Sequence, residues 1–197
     1  MDSDPFGASR LRMTRQGPRL RMTRQGPRLR MTAGVRNATP KQEPTLLTIT
    51  PFLWFETQAE EAMNYYASIF PRAKKVAVNR AGDAVMSVVF ELEGQKFMAL
   101  NGRQTLGFND SVSFFVGCET QQEIDALWER LTADGGTPGQ CGWLKDKFAL
   151  SWQIIPNSLG QLLGGGGDPG RSKRVVDAML RMKKLDAGTL QAAYDGA

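Results

Sequence analysis

The sixteen residues CGWLKDKFALSWQIIP, Cys141–Pro156, decide how the rest of the chain is read. Aromatic and β-branched residues flank a charged cluster, Lys145-Asp146-Lys147, which predicts strands Gln140–Leu144 and Phe148–Ile155 joined by a tight turn. Two indoles, Trp143 and Trp152, and the amide of Gln153 sit on this hairpin. Such a hairpin can wall a pocket. The chain of 197 residues contains no histidine. The commonest metal ligand and the commonest general base are therefore both missing.

Upstream of the hairpin, Val112–Cys118 reads as a strand, and Thr120 with Glu123 has the spacing of a capping box. Ile124, Leu127, Trp128 and Leu131 then mark one apolar helix face, which Gly135-Gly136 ends. A short last strand is expected near Gln161–Leu163. The same succession occurs earlier in the chain. Leu46–Phe55 is strand-like, Thr57 and Glu60 repeat the capping box, and Ala62, Tyr66, Ile69 and Phe70 give a second apolar face that stops at Pro71. Strands are then expected at Lys74–Asn79, Ala84–Leu92 and Gln95–Leu100, the last two joined at Glu93-Gly94. The fold class is thus α+β. Two βαβββ modules, about residues 46–102 and 111–163, form a curved eight-stranded platform with a concave face for a ligand.

Beyond the modules, Gly164–Gly167 is a linker, since no Lys-Ser/Thr follows it to complete a phosphate loop. Ser172–Lys184 has the spacing of an amphipathic helix with Val176, Met179 and Leu180 inward. Asp186 caps a final short helix carrying Leu190 and Tyr194. These C-terminal helices, residues 172–195, pack over a sheet face or reach a second subunit.

Residues 1–44 differ in kind. RLRMTRQGP fills Arg10–Pro18, recurs at Arg19–Pro27, and begins again at Arg28 before diverging. Residues 1–46 hold ten basic and three acidic side chains, leaving fifteen basic and seventeen acidic for the remainder. The net charge of +5 and pI of 9.4 therefore belong to the tail. Its few apolar residues do not offset the entropy of ordering, so a disordered basic tail is expected, able at most to touch nucleic acid weakly. A transit peptide and an over-extended start are the other readings. Cys118 and Cys141 are too few for a disulfide framework and fit small buried apolar positions. No apolar leader is visible, nor any run of about 18 apolar residues. A cytoplasmic location without a membrane partner is the expectation.

Four segments carry a resemblance: Thr50–Phe55 (TPFLWF), Ala62–Phe70 (AMNYYASIF), Cys141–Pro156 and Ala178–Asp186 (AMLRMKKLD). With the paired modules they resemble the PhnB-like branch of the vicinal oxygen chelate superfamily, often labelled 3-demethylubiquinone-9 3-methyltransferase-like. The likeness covers about residues 46–195. It implies the glyoxalase/bleomycin-resistance fold, a homodimer and a small-molecule ligand. Two departures stand out: Arg103-Gln104 where the branch tends to have glycine and proline, and Ala149 where glycine is usual before Ser-Trp-Gln.

Metal-dependent members of that superfamily carry histidines and glutamates on the first, fourth, fifth and eighth strands. Here those strands offer Thr50, Phe52 or Trp54; Met98, Leu100 or Asn101; Ser111 or Ser113; and Gln153, Ile154 or Ile155. No divalent ion can be held by that plan, and no cofactor is expected. The methyltransferase label also lacks its usual warrant, a glycine-rich turn between a parallel strand and a helix.

The expected ligand-binding residues are Trp54, Asn101, Ser113, Trp143, Trp152 and Gln153. In that reading the indoles pack an apolar or aromatic ligand and the amide orients it. The competing reading makes the tryptophans core residues and Gln153 a hydrogen bonder beside the ladder. Phe52 and Trp54 share a face opposite Phe55, and either face of that strand could line the cleft. Asn101 fits a ligand contact or a strand-end turn, and Asp146 a solvated turn. Ser113 has no histidine to activate it and serves binding rather than attack. The functional expectation is metal-free binding of a small apolar or aromatic molecule. An enzyme acting on a quinone-like aromatic, or a drug-sequestering protein, is the alternative.

Overall fold

The computed structural model describes residues 47–102 and 106–197. The tandem repeat and the Arg103-Gln104 departure lie outside the described residues. The first module contains β1 (Phe52–Phe55), α1 (Ala59–Ile69), β2 (Lys74–Ala81), β3 (Ala84–Leu92) and β4 (Gln95–Asn101). The second contains β5 (Phe114–Cys118), α2 (Gln121–Thr132), β6 (Thr137–Pro138), β7 (Trp143–Lys145) and β8 (Ser151–Pro156). Helices α3 (Leu159–Gly164), α4 (Pro169–Met179) and α5 (Ala187–Asp195) follow.

The described strands form two sheets of four, ordered β1-β4-β3-β2 and β5-β8-β7-β6. Each sheet has one parallel pair, β1 with β4 and β5 with β8, and is otherwise antiparallel. The duplicated α+β architecture expected from the sequence is present, with each module closing its own hydrogen-bonded sheet.

Alternation along the strands sorts the side chains. On β1, Leu53 and Phe55 are buried while Phe52 and Trp54 are exposed. The inner faces of both sheets join α1 (Ala62, Met63, Tyr66, Ile69) and α2 (Ile124, Trp128, Leu131) in one core. Its centre is aromatic. Phe90 stacks on Phe97 at 5.4 Å, Phe97 meets Phe114 edge-on at 5.0 Å, and Phe114 meets Trp152 at 5.3 Å. That chain of rings runs from the first sheet into the second. Each such pair contributes about 0.5–1.5 kcal/mol beyond area burial.

The two helix starts differ. Thr120 and Glu123 form the capping box read from the sequence. Thr57 and Glu60 do not, because α1 begins at Ala59 with Gln58 as an N-cap that makes no side-chain cap bond. The acceptor comes from another strand: Asn101 Oδ1 takes the Ala59 N–H at 2.8 Å. Glu60 instead pairs with Arg80 at 2.6 Å.

Further departures lie in the second half. Gln161–Leu163 belongs to α3, and Ser151–Pro156 is the last strand. The expected strand from Gln140 starts only at Trp143, because Cys141 and Gly142 turn with φ of +56° and +84°. Helix α4 begins at Pro169, with Asp168 capping Gly170 N–H, and ends at Met179. Val175 is its buried residue, and Leu180 is exposed. Asp186 caps α5 as expected, accepting from Thr189 N–H.

The C-terminal helices have their own small core of Leu159, Leu162, Val175, Leu185 and Leu190, into which Ile155 of β8 projects. Among the described residues no helix is long and apolar enough to cross a membrane.

Candidate functional site

Register places three candidate residues on one surface. Gln153 of β8 lies opposite Phe115 of β5 and opposite Trp143 of β7, giving the row Phe115–Gln153–Trp143 across the second sheet. The next row, Phe114–Trp152–Leu144, points the other way into the core. The outer row is open to solvent: Phe115 is 63% exposed, with Gln153 and Trp143 half-buried. Gln153 Nε2 donates to Ser113 Oγ at 2.8 Å, which joins two of the predicted residues and leaves the amide oxygen of Gln153 as an acceptor.

This surface is a trough with two ends. Ser151, Gln153 and Ile155 alternate onto the same face of β8. The C-terminal helices cover the face at Ile155, whose side chain is in their core. At the other end Ser151 is fully buried, and its hydroxyl donates to Asp110 Oδ1 at 2.6 Å. Lys145, directly opposite Ser151, reaches the same oxygen at 3.3 Å. The Ser151 and Lys145 hydrogen bonds hold the Asp110 carboxyl below the usual carboxylate range. Beside Trp143, a cavity of about 550 Å³ opens between Asp110, Pro138, Cys141 and Lys145. That is ample for a small ring system.

Trp152 does not belong to this surface. It is 2% exposed, and its Nε1 donates to Asp146 Oδ2 at 2.9 Å. With Ser113, Phe114 and Phe115 it lines a wider hollow of about 740 Å³ along the free edge of β5. Trp152 is thus packed in the core and also lines that hollow. Alternation is the reason: on β8, a residue beside an outward Gln153 must face inward.

Asp146 likewise departs from the solvated turn expected of it. Its carboxylate is buried and accepts four hydrogen bonds, from Tyr66 Oη at 2.8 Å, Trp152 Nε1 at 2.9 Å, Phe148 N–H at 2.9 Å and Leu150 N–H at 3.1 Å. Burial raises its pKa, and the bonds from Trp152, Tyr66 and the two amides oppose that rise. Burial, with Asp146 beside it, pushes the Tyr66 phenol well above its ordinary value. The flanking lysines mislead the sequence reading: Lys145 turns to Asp110, and Lys147 pairs with Glu61 at 2.6 Å over the rings of Tyr65 and Phe148.

Asn101 and Trp54 lie on the first sheet. Asn101 shares the inward side with Phe97 and Ala99, and besides capping α1 it donates from Nδ2 to Val85 O at 3.1 Å. Both ends of its amide are thus bonded to backbone. Trp54 is on the open face, in a row with Leu100 and Ser87. Its indole lies over Gly102, where a Cβ would come within 2.1 Å of the ring. Within the chain Trp54 is therefore on a different surface from Trp143 and Gln153.

The sequence reading missed Phe115 as an outer-row residue and Asp110, Lys145 and Ser151 as the trough's polar end. Phe115 was legible in principle, since alternation from an inward Phe114 places it outward. The Asp110 contacts depend on a loop whose path no local pattern encodes. Among the described residues no three His, Cys, Asp or Glu side chains come together in a way that could hold a metal ion. The outer row offers an amide, a hydroxyl and aromatic faces, which suit orientation and stacking but are poor ligands for a divalent cation.

Residues 47–155 match the family model described as 3-demethylubiquinone-9 3-methyltransferase. A solved PhnB protein of Bacillus cereus with the same description is 34% identical, with a TM-score of 0.52, over 56% of this chain and 99% of its own. Protein PA1353 of Pseudomonas aeruginosa is 19% identical, with a TM-score of 0.49, over 56% of this chain and 98% of its own. No curated protein matches the chain.

Proposed function

The chain belongs to the 3-demethylubiquinone-9 3-methyltransferase family, in the PhnB-like branch of the vicinal oxygen chelate superfamily, and from that premise we propose that it binds a small, planar, mostly apolar molecule on the open face of its second sheet. The observation that carries the proposal is the row Phe115–Gln153–Trp143 with Ser113 fixing the amide. Two aromatic side chains supply stacking surface, and the amide oxygen of Gln153 accepts from a ring N–H or hydroxyl.

The open face of the first sheet, with Phe52, Trp54, Met98 and Leu100, supports the homodimer as part of this reading. Exposed apolar sheet faces of this kind mark contact surfaces. A second copy laid on the first sheet would bring its own Trp143 row toward Trp54, uniting Trp54, Ser113, Trp143 and Gln153 in one cleft. A quinone-like aromatic suits the same stacking surfaces, and the family's description favours such a ligand. No methyl-transfer step is derived, since the described residues contain no glycine-rich turn from a parallel strand into a helix.

The test is fluorescence titration with anilinonaphthalene sulfonate, a planar aromatic probe, alongside sedimentation to give the assembly state. Saturable binding that weakens in Gln153→Ala and Phe115→Ala is expected, from a protein sedimenting as a dimer. Equal affinity in all three proteins would move the pocket off this face. Treatment with a chelator should leave the titration unchanged.

A further inference from the structure

The C-terminal helices lie beyond the matched family region, which ends at residue 155. They hold the corner from which β7 starts. Three groups of this corner are bonded to the end of α4 and the segment that follows it. Cys141 N–H donates to Met182 O at 2.8 Å, Gly142 N–H donates to Lys183 O at 2.7 Å, and the Cys141 thiol lies 3.6 Å from Met179 O. Gly142 O in turn accepts from Ile154 N–H at 2.8 Å. The corner is therefore fastened on one side to β8 and on the other to the C-terminal segment.

No slack exists there. A Cβ on Gly142 would come within 2.7 Å of Ile155 Cδ1, 2.8 Å of Ile154 O and 3.2 Å of Leu185 Cδ1. Cys141, a non-glycine residue, is held at φ +56°, a strained conformation that persists only where its surroundings dictate it. The residue immediately after this corner is Trp143, the outer-row indole.

The segment is itself clamped from α2. Gln121 Nε2 donates to Leu185 O at 3.1 Å, Gln121 Oε1 accepts from Ala187 N–H at 2.9 Å, and Lys184 pairs with Asp125 at 2.5 Å. Leu185 is fully buried in the C-terminal core. Side-chain bonds to both backbone polar groups of a loop fix its path as a ladder would.

We infer that the C-terminal helical unit is a positioning element of the ligand trough: through Met182 and Lys183 it sets the Cys141-Gly142 corner and hence the placement of Trp143, with Gln121 and Leu185 as the positioning residues. This rests on the ligand reading above for its consequence, while the placement of Trp143 stands on the geometry alone. The unit thereby does two things to one face of the second sheet. It closes the trough at Ile155 and holds the indole at its far wall.

The experiment uses the full chain carrying Gln121→Ala, with Leu185→Ala as a second variant, each compared with and without Trp143→Phe. The Trp143 contribution to emission is the difference between each pair. Its acrylamide quenching should rise in Gln121→Ala, while the emission of Trp54, Trp128 and Trp152 stays as in the parent. Affinity for anilinonaphthalene sulfonate should fall about threefold or more, and that fall should vanish when Trp143→Phe is already present, the non-additivity of coupled residues. A lowered melting temperature with unchanged Trp143 quenching would overturn the inference and leave Gln121 a purely structural residue. Altered quenching with unaltered affinity would overturn the link to the ligand. If the parent binds no dye, the ligand reading fails, and the quenching arm alone decides the placement of Trp143.

Discussion

Trp152 and Gln153 stand back to back on β8. The indole donates inward to Asp146 at 2.9 Å, and the amide donates outward to Ser113 at 2.8 Å. In the Ser-Trp-Gln triplet the middle side chain therefore points into the core and the outer two point to the opposite face of the strand.

Trp152→Phe should separate those roles. It removes one donor from a buried carboxylate and leaves a small void, a loss of about 2–3 kcal/mol by urea denaturation. Affinity for the aromatic probe should stay at the parent value. Gln153→Ala should show the reverse pattern, and matching effects in both variants would put the triplet on one surface after all.

Asp146 gives a pH signature. Burial raises its folded-state pKa above the ordinary aspartate value. The stability linked to it is thus fully present below the unfolded pKa and is lost as pH rises through the folded one. The stability gap between the parent and Asp146→Asn should be wider at about pH 4 than at about pH 7. A gap that grew with pH would mean that the four hydrogen bonds outweigh desolvation.

Ala149 occupies a left-handed position, φ +64°, on the exposed tip of the β7–β8 turn. A non-glycine residue there costs about 1–2 kcal/mol, against about 0.5–1 kcal/mol of extra chain entropy for glycine. Ala149→Gly should therefore stabilise by roughly 0.5–1 kcal/mol. Thermal melting with the calorimetric enthalpy will measure it.

Asn101→Ala should cost about 1–2 kcal/mol, because Ala59 N–H and Val85 O both lose a partner. Probe binding should not change. A binding defect at parental stability would return Asn101 to the ligand surface.

The fold was legible because its signals are periodic and appear twice. Apolar spacing of 3–4 residues marked α1 and α2, alternation marked the long strands, and Thr120 with Glu123 marked the start of α2. What escaped is non-local. Asn101 caps a helix that begins 42 residues earlier, so no local window could show that Thr57 is not the cap. Asp146 lies between two lysines, and only the approach of Tyr66, 80 residues away, turns that turn into a buried site. Part of the outer row was legible: strand register sets Trp143 beside Gln153, Gln153 bonds Ser113, and Phe115 follows from the same alternation. Trp152 sits in the core by parity, yet it lines the hollow beside Ser113 and Phe115.

The carboxylate of Asp146 also couples the two halves of the chain during folding. One of its four donors, Tyr66, comes from the first module, and the other three come from the second. Before the halves meet, Asp146 keeps its water and Tyr66 has no partner. As they close, the ion must be stripped of solvent, and the step is favourable only when every donor arrives together. A single module made alone would carry this anion at a surface of bare aromatic rings and should collapse without settling. The pairing spans 80 residues of sequence, the kind of non-local contact that carries a large loop-closure cost. One buried acid thus ties the two modules together beside the aromatic core that they share.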